Sequence, residues 1–150
     1  MDAHLRDRLE ASLLGAIDRC VSKSARWGHD DCALWVADIL KDALGYDAAR
    51  PWRNGYTTRE GAAESVGPLG LGFALRRAAE RHGGLRIDAD EANTGDVALA
   101  MMGAVIDGKI VGRPTTMICR APGWFVARAE IGIAAYRIEY IKPKLCWAVI

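Results

Sequence analysis

Trp27-Gly28-His29-Asp30-Asp31-Cys32-Ala33-Leu34-Trp35-Val36-Ala37-Asp38-Ile39-Leu40 sets a cysteine at the first turn of a strongly helical segment. Asp30 or Asp31 supplies the N-cap, its carboxylate accepting from backbone N–H groups that a first helical turn leaves free. Gly28 lets the chain turn into the helix. A thiol at that position faces the positive end of the helix dipole and unpaired N–H donors, which favours thiolate over thiol. Residues 34–43 are apolar on most sides and Gly45 is a plausible stop, so this helix is expected at the centre of the core.

Outward from this stretch, the first half reads as helical. Leu5, Leu9, Leu13, Ile17 and Val21 recur at a four-residue step with Leu14 beside them, which predicts an amphipathic helix over residues 2–22. Residues 46–56, with Pro51, Asn54 and Gly55, have neither helix nor strand period and read as an ordered loop. Thr57 and Glu60 have capping-box spacing and open a short helix to about Val66. Gly67-Pro68 interrupts it, and Leu69–Arg81 forms a further helix closed by Gly83-Gly84.

After Gly84 the texture changes to short β-branched runs. Strands are expected at 85–87, 97–101, 105–106, 109–111, 115–120, 124–127, 136–141 and 145–150, with Asp107-Gly108 as a hairpin turn. Helices followed by strands, without alternation, predict one α+β domain over residues 1–150: a helical N-terminal half packed on a mostly antiparallel C-terminal sheet.

Composition narrows the partners. A chain of 150 residues that is 51% hydrophobic is large enough for a real core, and a net charge of +1 carries no footprint for nucleic acid. No apolar run reaches the length of a membrane helix, so no membrane insertion is expected. Met1-Asp2-Ala3-His4 and the charged segment after it lack the form of a secretory signal, so folding in a cytosol is expected. Cys20, Cys32, Cys119 and Cys146 have no zinc-type spacing, and only three histidines supplement them. No metal or cofactor is implied. Free, buried thiols are the expectation. Trp27, Trp35 and Trp52 read as core and loop anchors, Trp124 and Trp147 as partly exposed interface residues.

Trp27-Gly28, Asp31-Cys32, Tyr56-Thr57, Gly95-Asp96-Val97-Ala98-Leu99 and Ala135-Tyr136-Arg137-Ile138 carry a resemblance over residues 27–138. The layout resembles the NlpC-type cell-wall peptidases of the papain-like superfamily, and more closely a family of small phage and prophage tail-associated proteins. The resemblance implies a papain-like fold with Cys32 as nucleophile, and a place in a virion tail after synthesis in the bacterial host cytoplasm. Its implied partners are hub or distal-tail subunits of the tail tip, with peptidoglycan as the substrate if the site is active.

That chemistry needs an imidazole to take the thiol proton and protonate the leaving amine. The resemblance places it in a His-x-Gly-Ile pattern on a strand, where this chain has Thr115-Thr116-Met117-Ile118, with Thr115 at the histidine position. No histidine follows His82, which sits at a helix end. His29, three residues before the cysteine, is the remaining candidate base, and Asp31 the cap beside the nucleophile. Two expectations follow: a tail-tip component with a peptidase-like fold and no catalysis, or a cysteine peptidase or amidase cleaving stem peptides during genome delivery. In the first, Cys32 is simply a small buried side chain at the helix start.

Overall fold

The computed structural model describes residues 3–150, the side chain of Ala104 excepted. Along the chain run α1 (Ala3–Cys20), α2 (Cys32–Leu44), α3 (Arg59–Val66), α4 (Gly70–Arg81), β1 (Leu85–Arg86), a 3-10 turn (Ala89–Glu91), β2 (Val97–Ile106), β3 (Lys109–Ala121), β4 (Trp124–Arg128), β5 (Ile133–Arg137), α5 (Ile138–Ile141) and β6 (Leu145–Ala148). The strands form one sheet in the order β1-β6-β2-β3-β4-β5, and every neighbouring pair is antiparallel. The chain is therefore α+β, with α1 to α4 before its sheet and the single-turn α5 between the last two strands. None of the described helices is long and apolar enough to cross a membrane.

Helix α2 is the centre of the core, as its composition requires. Trp35, Val36, Ile39 and Leu40 pack with Leu9, Leu13 and Ala16 of α1 and with Val97, Ile118 and Val126 of the sheet. Each large apolar side chain buried there contributes roughly 1.5–3 kcal/mol. Strand alternation sends Ala98, Met117, Cys119, Phe125, Ala127 and Cys146 to the opposite face, where Ile141 of α5 helps to cover them. On the outer side of α2, Leu34 and Ala37 meet Ala49, with Trp52 and Tyr56 beside them. That loop is clamped electrostatically: Arg53 makes two 2.8 Å bonds to Asp47 and one of 2.7 Å to Asp38 on α2. The guanidinium holds the Asp47 carboxyl below its usual range.

Several boundaries differ from the sequence reading, each for a local reason. The expected start of the first helix at Asp2 lies outside the described residues. That helix ends at Cys20, so Val21 is exposed, as is Leu14, and the buried line runs through Leu9, Ser12, Leu13, Ala16 and Cys20. The cap of α3 is Thr58, whose hydroxyl accepts from the Gly61 N–H at 3.0 Å; the Thr57–Glu60 capping box is displaced by one residue. Segments 97–101 and 105–106 are one strand, as are 109–111 and 115–120. Pro114 does not break β3, because its nitrogen faces away from β2. The segment expected as a strand over 136–141 divides into β5 and α5: the Lys142 N–H bonds back to the Ile138 carbonyl and closes a helical turn. Trp147 is buried, since β6 lies inside the sheet between β1 and β2, whereas Trp124 is 43% exposed. Asp107 and Gly108, at φ 52° and 77°, make the expected two-residue turn.

Candidate functional site

Asp31 organises the start of α2. Its Oδ1 accepts from the Leu34 N–H at 3.2 Å, which makes it the N-cap. Its Oδ2 accepts from the Gly28 N–H at 3.0 Å and from the Tyr56 hydroxyl at 2.7 Å. The buried carboxylate thus binds the entry loop, the helix and the 46–56 loop at one point. Burial, then the bond to Asp31, holds the Tyr56 phenol above its ordinary range, so it acts as a donor. Asp30, the other candidate cap, accepts from the Arg26 N–H at 2.8 Å and from Arg128 Nη2 at 3.1 Å. The Arg128 side chain is fully buried and also donates to the carbonyls of Lys23 and Gly132, tying the entry loop to the β4–β5 turn.

Cys32 is the first residue of α2, and it borders an open cleft of ≈ 760 Å³. The walls are Trp27 and Asp31, residues 57–60, the β2–β3 ribbon from Met102 to Thr115, and the β4–β5 turn with Tyr136. Arg113 stands 5.5 Å over the Trp27 ring. Arg59, Arg113 and Arg128 are balanced around the cleft by Asp31, Glu60 and Glu130. Among the residues lining it there is no histidine.

The thiol itself is raised above its ordinary pKa. Burial is the largest cause and the Asp31 charge adds to it; the Thr116 N–H and hydroxyl and the Arg113 charge pull the other way without prevailing. The expectation that the helix terminus would favour thiolate is therefore reversed.

Thr116 is the side chain of β3 that faces the thiol. Alternation puts Thr116 and Ile118 on the α2 side and Thr115, Met117 and Cys119 on the other, so Thr115 is not the residue against Cys32. The Thr116 hydroxyl is buried and has no well-formed hydrogen bond among the described residues. Behind it, between α2, α4 and the sheet, is a narrow apolar cavity of ≈ 50 Å³ bordered by Val36, Tyr46, Trp52 and Trp147.

His29 is exposed on the entry loop and is not part of the cleft lining. His82 caps the C-terminus of α4 and stacks on Tyr46, ring centroids 4.1 Å apart. Cys20, Cys119 and Cys146 are buried free thiols. Among the described residues no cluster of three or more His, Cys, Asp or Glu side chains is placed to hold a metal.

The model for a domain of unknown function, DUF6950, matches residues 5–149. The chain belongs to that family. The match spans α1 to the end of β6, so the entry loop, Cys32, Thr116 and the cleft all lie inside it. A search of curated proteins returns no match.

Sequence reasoning identified Cys32 and its cap but assigned no role at the site to Tyr56, Arg113 or Thr116. For Thr116 a signal existed, since the apolar run Met117 to Cys119 could have been phased by strand alternation. The Tyr56–Asp31 contact spans 25 residues through a loop without periodicity, and no pattern announces it.

Proposed function

We propose that this chain is a structural component of a phage or prophage tail tip, built on a papain-like, NlpC-type layout, whose cleft binds and does not cleave. One observation carries this reading: the cysteine at the first turn of the central helix borders an open cleft and faces the sheet, where its neighbour is Thr116. Nucleophilic attack on an amide needs a group that accepts the thiol proton near neutral pH and returns it to the leaving amine. A threonine hydroxyl does neither. The upward shift of the thiol removes the alternative of a standing thiolate. What the site retains is shape: a cleft with three arginines, three carboxylates and an indole along its walls, suited to holding a polypeptide of a neighbouring tail subunit.

The test is thiol chemistry followed by digestion. In a variant with Cys20, Cys119 and Cys146 replaced, alkylation of Cys32 is expected to be slow at pH 7. It should climb about tenfold per pH unit through and beyond the ordinary thiol range, because the neutral form persists until the raised pKa is reached. His29→Ala should leave that profile unchanged, and purified sacculi should remain intact. Fast labelling below pH 7 that disappears with His29→Ala, or sacculus digestion abolished by Cys32→Ala, would overturn the proposal in favour of an active peptidase or amidase.

A further inference from the structure

Six charged side chains line the Cys32 cleft, and five of them are already engaged or solvated. Arg128 is buried, held by Asp30 and by the carbonyls of Lys23 and Gly132. Asp31 is saturated by the Gly28 and Leu34 N–H groups and the Tyr56 hydroxyl. Arg59 and Glu60 pair with each other at 3.2 Å, and Glu130 is exposed to solvent on the β4–β5 turn.

Arg113 is different. It is half-buried on β3, and none of the ion pairs among the described residues includes it. Its guanidinium lies 5.5 Å over the Trp27 ring. Stacking on an indole fixes the plane of the fork and excludes water from one face, while the in-plane N–H groups stay open to a planar anion. The platform is itself anchored, because Trp27 precedes Gly28, whose N–H is bonded to Asp31. A carboxylate in the plane of this fork accepts two parallel charge-assisted hydrogen bonds.

The wall beside Arg113 indicates what carries that carboxylate. β4 reaches β3 only at Ile118–Ala121, so the edge of β3 along the cleft is not covered by a strand. Pro114 lies on that edge with its backbone turned away from β2, and its carbonyl is therefore an acceptor for a main-chain N–H. The cleft volume of ≈ 760 Å³ is also far more than a lone carboxylate fills. We infer that the cleft takes an extended polypeptide segment of its partner, with an aspartate or glutamate side chain on Arg113 and a main-chain N–H on the Pro114 carbonyl. This rests on the reading of the cleft as a binding site and adds the chemistry of its occupant. Arg113 is near enough to Cys32 for its charge to act on the thiol, although burial prevails there, so a segment seated on Arg113 also covers Cys32.

Isothermal titration of the full chain with a capped deca-glutamate peptide at low ionic strength tests this. Binding is expected, and both capped deca-glutamine and the free dicarboxylate glutarate should bind at least about tenfold more weakly. Arg113→Gln should weaken the glutamate peptide at least about tenfold with an unchanged far-ultraviolet spectrum, and Arg113→Lys should weaken it less, since lysine keeps the charge and loses the fork. Arg76→Gln, on the exposed face of α4 outside the cleft, removes the same net charge and should change binding less than about twofold. The bound peptide should slow the alkylation of Cys32. No binding of deca-glutamate at millimolar concentration overturns the proposal, and so does binding that Arg113→Gln leaves intact or that glutarate matches. Cleavage of the peptide, lost in Cys32→Ala, would overturn the non-catalytic reading of the cleft and leave recognition by Arg113 standing.

Discussion

Replacing Asp96 with alanine is expected to destabilise the chain by about 3–5 kcal/mol, the usual cost of removing one member of a buried ion pair. Asp96 is 1% exposed and lies just before β2, yet it joins three distant parts of the chain. Its Oδ1 accepts from Arg6 Nη1 of α1 at 2.7 Å and from the Val149 N–H after β6 at 3.1 Å. Its Oδ2 accepts from the Asn93 N–H at 2.9 Å. Alanine removes the countercharge and two backbone acceptors together, and each buried N–H left unpaired adds about 1–3 kcal/mol where water cannot replace the bond. Against a total stability of about 5–15 kcal/mol, such a loss leaves a large unfolded fraction at physiological temperature. Urea unfolding followed by circular dichroism measures it. Asp96→Asn keeps the shape and one acceptor oxygen, and it should fall between the native chain and the alanine variant. Equal midpoints for all three would mean that this junction contributes nothing.

Much of the fold was legible because the relevant signals are local. The core helix is marked by an aspartate cap, a nearly unbroken apolar run and a closing glycine within nineteen residues of sequence, from about Trp27 to Gly45. The hairpin is marked by Asp-Gly. Errors arose where the outcome depends on direction and not on residue type. The segments expected as separate strands over 97–101 and 105–106, and over 109–111 and 115–120, join into β2 and β3, because a proline whose nitrogen points away from its partner costs the ladder nothing. The resemblance puts Thr115 at the histidine position, whereas the side chain that meets Cys32 is Thr116, and one position along a strand changes the face.

The site was less legible than the fold, and for a physical reason. Cap and dipole belong to the first turn of α2 and can be read from Asp31-Cys32, and they alone point to an activated thiol. Desolvation belongs to the packing of β3 and the 46–56 loop over that turn, and it reverses the sign. The reach of His29 was equally inaccessible, since an exposed loop side chain has no period by which to place it. Asp96 illustrates the same limit in the core: its partners, Arg6 and Val149, are set only when both ends of the chain have folded onto β2.

Gly28→Ala is expected to disrupt the Cys32 site itself. Gly28 has a φ of 83°, in the left-handed region, and a Cβ placed there would stand 1.9 Å from the Tyr56 carbonyl oxygen and 3.0 Å from its carbon. Both are backbone atoms, so no rotamer change relieves the overlap. The strained φ costs about 1–2 kcal/mol, and displacing Tyr56 from buried Asp31 adds about 1–3 kcal/mol. The total, about 2–5 kcal/mol, should appear as a lower urea midpoint. Gly45 provides the comparison, because its φ is 85° but nothing lies within 4 Å of its Cβ position. Gly45→Ala should therefore show the strain alone, about 1–2 kcal/mol, with the thiol unchanged. Gly28→Ala should in addition raise the alkylation rate of Cys32 at pH 7, since burial is the first cause of the raised thiol and the displaced loop no longer maintains it. If both variants lost the same stability and left Cys32 equally slow, the contact between Gly28 and Tyr56 would not be what shields the thiol.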